Sequence, residues 1–172
     1  AYLKAHSPAA EAKAIHRVTR LMKKSGVHVH FCHISSSSGL KACLTAKKLG
    51  LPITCEVTPH HLLLSSKDLK RYTTLALTVP PVRTKKDVKA LWNALKQSLI
   101  DAVASDHAPH TIEEKEAESV WDVKTGIPGL ETMLPLMLTQ VNEGRLTMSE
   151  LVRLTSERPA EIFNIKNRGS LN

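Results

Sequence analysis

The stretch IDAVASDHAPH, residues 100–110, decides how this chain is read. Ile100, Ala102 and Val103 have the character of a short buried strand, and Asp106, His107 and His110 crowd immediately behind it. A strand running out into ionisable side chains is what an α/β enzyme needs, because the carboxyl edge of its sheet is a rigid rim for reactive groups. Carboxylate and imidazole together point to a metal-dependent hydrolase.

The flanking segments supply a sheet for that strand. Just before it, residues 85–99 place Val88, Leu91, Trp92, Leu95 and Leu99 on one helical face. Residues 8–24 form an earlier helix, with a stripe of Ala14, Ile15, Val18, Leu21 and Met22 opened by Ser7-Pro8 and closed by Ser25-Gly26. Residues 27–34, VHVHFCHI, alternate as a strand; residues 38–49 return to helix and stop at Gly50; residues 52–57, PITCEV, make a second strand. Residues 62–84 read as irregular, with a short helix at 66–71 and a turn at Pro80-Pro81.

Downstream, residues 111–126 read as a polar, acidic loop. Residues 129–142 read as a helix that turns Leu130, Met133, Leu134, Met137, Leu138 and Val141 inward, with Pro135 kinking its first turns. Thr147 or Ser149 caps a last helical segment running through Leu151 and Leu154 toward Ile162. Helix and strand therefore alternate three times before two closing helices, a pattern that predicts an α/β fold on a parallel sheet. Three strands do not close a barrel. The expectation is either a small open α/β domain or part of a (β/α)8 TIM barrel.

With 172 residues the chain is long enough to bury one core. It has no run approaching the ~20 apolar residues of a membrane span and no amino-terminal signal, so no membrane association is expected. Cys32, Cys43 and Cys55 are odd in number and lack CxxC spacing, which favours a reducing, cytoplasmic setting. The net charge of +8 is spread over Lys23-Lys24, Lys47-Lys48, Lys85-Lys86, Lys166 and Arg168, and there are only two each of Phe, Tyr and Trp. Scattered cations without a stacking platform argue against nucleic acid.

Each expected strand ends in chemistry: the first at Cys32-His33, the second at Glu56 followed by His60-His61, the third at Asp106 with His107 and His110. In a parallel sheet these ends share one edge, so they can converge on a metal with an open coordination position. Each residue also has a plainer role. His33 is either a ligand or a hydrogen-bonded structural residue, and Asp106 a ligand or a turn cap. Cys32 is either a small core residue or an accessory metal ligand with Glu56. His60-His61 brace the loop after the second strand, His28 and His30 are structural or exposed, and residues 35–38 cap a helix or bind an anion at its amino terminus.

The segments HFCHISS, CEVTPHHLLLS, PPVR, ASDHAPHTIEEKE and GIPGLETMLPL, in this order, resemble the longer-chain class of dihydroorotases in the amidohydrolase superfamily, from about Tyr2 to Leu171. The TPHH and DHAPH forms separate this resemblance from allantoinase and dihydropyrimidinase (hydantoinase), which share the first histidine and the SDH. The resemblance implies strands six to eight of the barrel and a zinc-dependent, reversible cyclisation of N-carbamoyl-L-aspartate to L-dihydroorotate in de novo pyrimidine biosynthesis. It implies two Zn2+ ions per complete site, with His33 on one and Asp106 on the other, Asp106 also carrying the proton. His110 then holds the substrate carboxylate, and the Pro128-Gly129 backbone contacts the pyrimidine ring.

Where the family has an Asn before its paired prolines, this chain has Val79, so that contact is either lost or replaced, with Arg83 as the candidate replacement. The family's His-x-His, bridging ligand and strand-five histidine belong upstream of Ala1, so the chain holds about half of an active site and is expected to be inactive alone. Residues 1–165 are read as the carboxyl-terminal part of the barrel. Residues 166–172, KNRGSLN, are read as the start of a further strand, with both ends of the chain cut. Partners implied are the small-molecule substrate and either another copy or aspartate transcarbamoylase, the latter also fitting a non-catalytic scaffold.

Overall fold

A computed structural model describes residues 1–170; Leu171 and Asn172, the last two residues of the expected trailing segment, lie outside the described residues. The three strands are β1 (Val29–Phe31), β2 (Ile53–Val57) and β3 (Ala102–Val103), parallel and in the order β1-β2-β3. Val29 pairs with Ile53 and Phe31 with Cys55, and Glu56 pairs with Ala102 and Val57 with Val103. The sheet is open, and all three strands point their carboxyl ends the same way.

Helices α1 (Tyr2–Ala5), α2 (Pro8–Ser25) and α3 (Ser37–Lys48) flank the first crossover; α4 (Pro59–Leu63), α5 (Leu69–Tyr72), a 3-10 turn (Thr73–Ala76) and α6 (Lys85–Lys96) make the second. After β3 come α7 (Ile112–Lys115), α8 (Leu130–Asn142) and α9 (Met148–Val152), the last running through a π turn (Arg153–Glu157) into α10 (Arg158–Ile162). Local chemistry explains the main boundaries. Ser7 Oγ accepts from Ala10 N at the start of α2, and Gly26 closes that helix at φ 68°, a left-handed conformation that glycine adopts without strain. Thr84 and Asp87 form a reciprocal capping box on α6.

One apolar core joins these layers. Cys43 and Ala46 of α3, Cys55 and Val57 of β2, Leu91 and Leu95 of α6, Met137 of α8 and Leu151 of α9 are all buried in it. At the amino end of β3, Asp101 accepts from the Cys55 amide at 2.8 Å and from Lys47 Nζ at 2.5 Å, while Arg158 lies 3.4 Å away. Charge at that end braces the sheet and leaves the carboxyl end for the site.

Several expectations change. Strands one and three are shorter than expected: among the described residues each has a ladder partner on one side only, and each ends short of a left-handed residue, His33 and Asp106. Residues 62–84 are more helical than expected: Thr58 and Pro59 start α4 early, as cap and first-turn proline. The acidic loop contains α7, nucleated by a Thr111–Glu114 capping box. Helix α8 runs on through Pro135, and Leu130 and Leu134 are 70% and 53% exposed rather than inward, while Met133 in the same turns packs on the core from the other face. Thr147, not Ser149, is the α9 cap. Residues 166–170 form turns and bends with no strand.

Candidate active site

His33 and Asp106 stand at the carboxyl ends of β1 and β3 with φ of 40° and 47°, the left-handed region that β-carbon sterics disfavour for residues other than glycine. Such strain persists where the surroundings fix it, and it turns both side chains out of their strand ends. Between them stands His60, placed by α4. Its Nε2 lies 4.0 Å from Asp106 Oδ2, too far for a hydrogen bond. His33 Nδ1 and His60 Nε2 are buried without a hydrogen-bond partner among the described residues.

Burial pushes His60 down to about 4, opposed by the Asp106 carboxylate and reinforced by His33. At neutral pH it is therefore an uncharged imidazole facing a carboxylate. Two ring nitrogens without a partner among the described residues, one of them 4.0 Å from the Asp106 carboxylate, are ligand types that a divalent metal takes. The bracing role expected for His60-His61 divides between the two. His61 is the brace: its Nδ1 meets Thr58 Oγ1 at 2.8 Å and its Nε2 the Pro80 carbonyl at 3.1 Å. Nothing in the sequence distinguishes His60 from its neighbour; helix α4 aims the two rings differently, and only His60 faces the rim.

A second polar group lies beside the first. His30 bridges Thr54 Oγ1 at 2.8 Å and Glu56 Oε2 at 3.0 Å, and ligand atoms of His30, Cys32 and Glu56 lie within 4.8 Å of one another. The two-residue strand period puts His30 and Cys32 on one face, across from Glu56. Cys32 is exposed, which corrects its expected core role; partial burial of its thiol, with the Glu56 and Asp106 carboxylates, pushes it above the ordinary thiol range. Sequence spacing placed Cys32 with Glu56, and the structure adds His30. His28 reaches Thr54 Oγ1 at 3.1 Å, a structural role.

The rim holds the remaining candidates. Val79 is 49% exposed and lines, with His6, Phe31, Cys32, His33 and Pro80, a cavity of about 340 Å3. Arg83 lines the same cavity, and its buried guanidinium is held by Ser35 Oγ at 3.0 Å, Glu11 at 3.3 Å and the His6 carbonyl. The anion at the amino end of α3 is likewise internal. Glu11 accepts from Ser35 N, Asp87 accepts from Ser37 N, and Ser36 is the cap.

His110 Nδ1 sits 3.4 Å from Glu114, one turn along α7. Pro128-Gly129 opens α8, and a Cβ on Gly129 would lie 2.6 Å from the Ser105 carbonyl oxygen, so only glycine lets that backbone approach the end of β3. His107 Nδ1 accepts from both Gly129 N and Leu130 N at 3.1 Å, which puts its proton on Nε2 and pins this backbone. That role of His107 was not legible from its place in the motif.

An open parallel α/β sheet carries His33 and Asp106 at the carboxyl ends of its strands, with His60 4.0 Å from Asp106, the layout of an α/β scaffold with polar groups on its carboxyl rim. The chain belongs to the amidohydrolase family, whose profile matches residues 4–172. Its relatives include the dihydroorotase of Methanosphaera stadtmanae, 44% identical over 99% of this chain and 38% of that protein. Another is the multifunctional protein CAD of Squalus acanthias, 43% identical over 93% of this chain and 7% of that protein. Among solved structures, the L-hydantoinase (dihydropyrimidinase) from Arthrobacter aurescens superposes with a TM-score of 0.89 at 36% identity, covering 94% of this chain and 37% of that one. The chain thus spans well under half the length of the relatives it matches.

Proposed function

We propose that this chain is the part of a dihydroorotase barrel that carries strands six to eight, with residues 1–165 in the barrel and 166–172 at the start of the next segment. The complete protein would catalyse the zinc-dependent, reversible cyclisation of N-carbamoyl-L-aspartate to L-dihydroorotate in pyrimidine biosynthesis, in the cytoplasm. The observation that carries this reading is the meeting of Asp106 with the unsatisfied ring nitrogen of His60 at the end of β3. Its support from comparison is the 44% identity to a dihydroorotase.

His33 and Asp106 would hold zinc, two ions completing the site with ligands from outside this chain, and Cys32 with Glu56, joined by His30, are accessory ligands. Zinc supplies a water acidified toward neutral pH and polarises the ring carbonyl. Asp106 takes the proton of the attacking water and delivers it to the leaving ring nitrogen. His110 offsets the substrate carboxylate, and the Pro128-Gly129 backbone, fixed by His107, orients the ring. Val79 leaves an apolar wall in place of an amide contact. Another copy of the chain or aspartate transcarbamoylase is the proposed protein partner, and the multifunctional name of the CAD relative fits association with other enzymes.

A second reading, a hydantoinase, draws on the 0.89 TM-score to L-hydantoinase and on apolar Val79. Turnover of dihydroorotate against hydantoin and allantoin by the full-length protein decides between them. Dihydroorotate is the expected substrate; hydantoin turnover without it overturns the reading. Asp106→Asn is expected to lower turnover by roughly 10²–10⁴-fold with a fall in bound metal, and unchanged turnover would remove Asp106 from the chemistry.

A further inference from the structure

Lys115 is a lysine buried at 3% exposure on the short helix α7, and no carboxylate pairs with it among the described residues. Lysine is almost never fully buried unless its ammonium is satisfied. Here Nζ donates to the Gly126 carbonyl at 2.6 Å and reaches the Leu77 carbonyl at 3.4 Å. The same Leu77 carbonyl accepts from Gly126 N at 2.8 Å, so three chain segments meet at one ammonium.

Each segment leads directly to a substrate-facing position. Leu77 lies two residues before Val79, and Gly126 two residues before Pro128. Through Glu114, the residue preceding Lys115 on α7, the third segment reaches His110 at 3.4 Å. Glu114 also accepts from Thr111 N at 2.9 Å, which fixes α7 relative to the His110 loop. An apolar side chain would fill the same space but leave the Gly126 carbonyl without its donor and the Leu77 carbonyl with the Gly126 amide alone, which loosens the hold of α7 on both segments.

We infer that Lys115 is a positioning residue for substrate binding: its ammonium clamps the Val79, Pro128-Gly129 and His110 segments into one pocket wall. This rests on the dihydroorotase reading of those three segments. Lys115 touches neither Asp106 nor His33, so the clamp governs where the ring sits and leaves the metal ligands alone.

The test is kinetics of the full-length protein carrying Lys115→Met or Lys115→Arg. Lys115→Met is expected to raise KM for dihydroorotate roughly tenfold or more while kcat stays within about threefold and bound metal is unchanged. Lys115→Arg, which keeps donors for both carbonyls, recovers part of the loss. Backbone amides over residues 76–80 and 125–130 exchange hydrogen faster in Lys115→Met than in the parent. An unmoved KM, or loss of kcat and metal with KM unmoved, overturns the inference, as does unchanged exchange in both segments.

Should Lys115→Met not fold, Lys115→Gln, with a single amide donor, is read by the same two measurements and the same outcomes. If the parent protein turns over hydantoin and not dihydroorotate, the dihydroorotase reading fails while Lys115 is tested on hydantoin in the same way.

Discussion

His61 carries a consequence of burial that is measurable in the intact chain. Burial, with smaller contributions from His60, His33 and Arg83, drives its ring well below the ordinary value of 6.5, against the Pro80 carbonyl that raises it. The folded protein then binds fewer protons than the unfolded chain as pH falls through about 6.5, so stability rises with pH in that range and is lost on acidification. The urea midpoint is expected to fall between pH 7.5 and 5.5, and His61→Gln, which keeps a hydrogen-bonding side chain without the titration, to show a shallower fall. Equal slopes in the two proteins would show that His61 is not the source. At this scale the sequence marks His33, Asp106 and His110 as candidates, because imidazole and carboxylate recur at strand ends. His60, His107 and Lys115 were not legible, because their roles depend on which neighbours the fold brings to each ring nitrogen or ammonium.

Among the elements, α6 and α3 are tied at one residue. Asp87 is pushed up by burial, yet its bonds to Thr84 and Ser37 overcome this and hold the carboxyl below its usual range. It closes the α6 capping box through Thr84 Oγ1 at 2.6 Å and accepts from Ser37 N at 2.9 Å and Ser37 Oγ at 2.8 Å, at the start of α3. Asp87→Ala is expected to cost about 2–3 kcal/mol, since it removes a cap and leaves the part-buried Ser37 donors without their acceptor. Thr147→Ala, which removes the exposed α9 cap, is expected to cost about 1 kcal/mol. Urea denaturation of both variants measures the difference, and equal losses would mean that Asp87 acts only as a local cap. The caps at Ser7, Thr84 and Thr147 follow local sequence rules. The Asp87 bond to α3 spans fifty residues and arises from packing alone.

For the whole molecule, the outer edges of β1 and β3 have no ladder partner among the described residues, and Leu130 and Leu134 stand exposed nearby in sequence to the rim. Unpaired strand edges and exposed apolar side chains favour association. The 172-residue chain by itself is expected to self-associate, read as a concentration-dependent mass by size exclusion with light scattering. A monomer across micromolar concentrations would show that these edges are protected.

The sequence by itself determined the alternation of helix and strand and the parallel sheet it implies, because period, caps and chain direction are local properties. Tertiary structure alone decided that Arg83 is bound to Glu11, that His60 faces Asp106 while His61 bonds Thr58 and the Pro80 carbonyl, and that Leu130 and Leu134 of α8 stand exposed. These depend on which distant groups satisfy each buried polar atom and cover each apolar face, and hydrogen bonding and burial between distant segments leave no periodic trace along the chain.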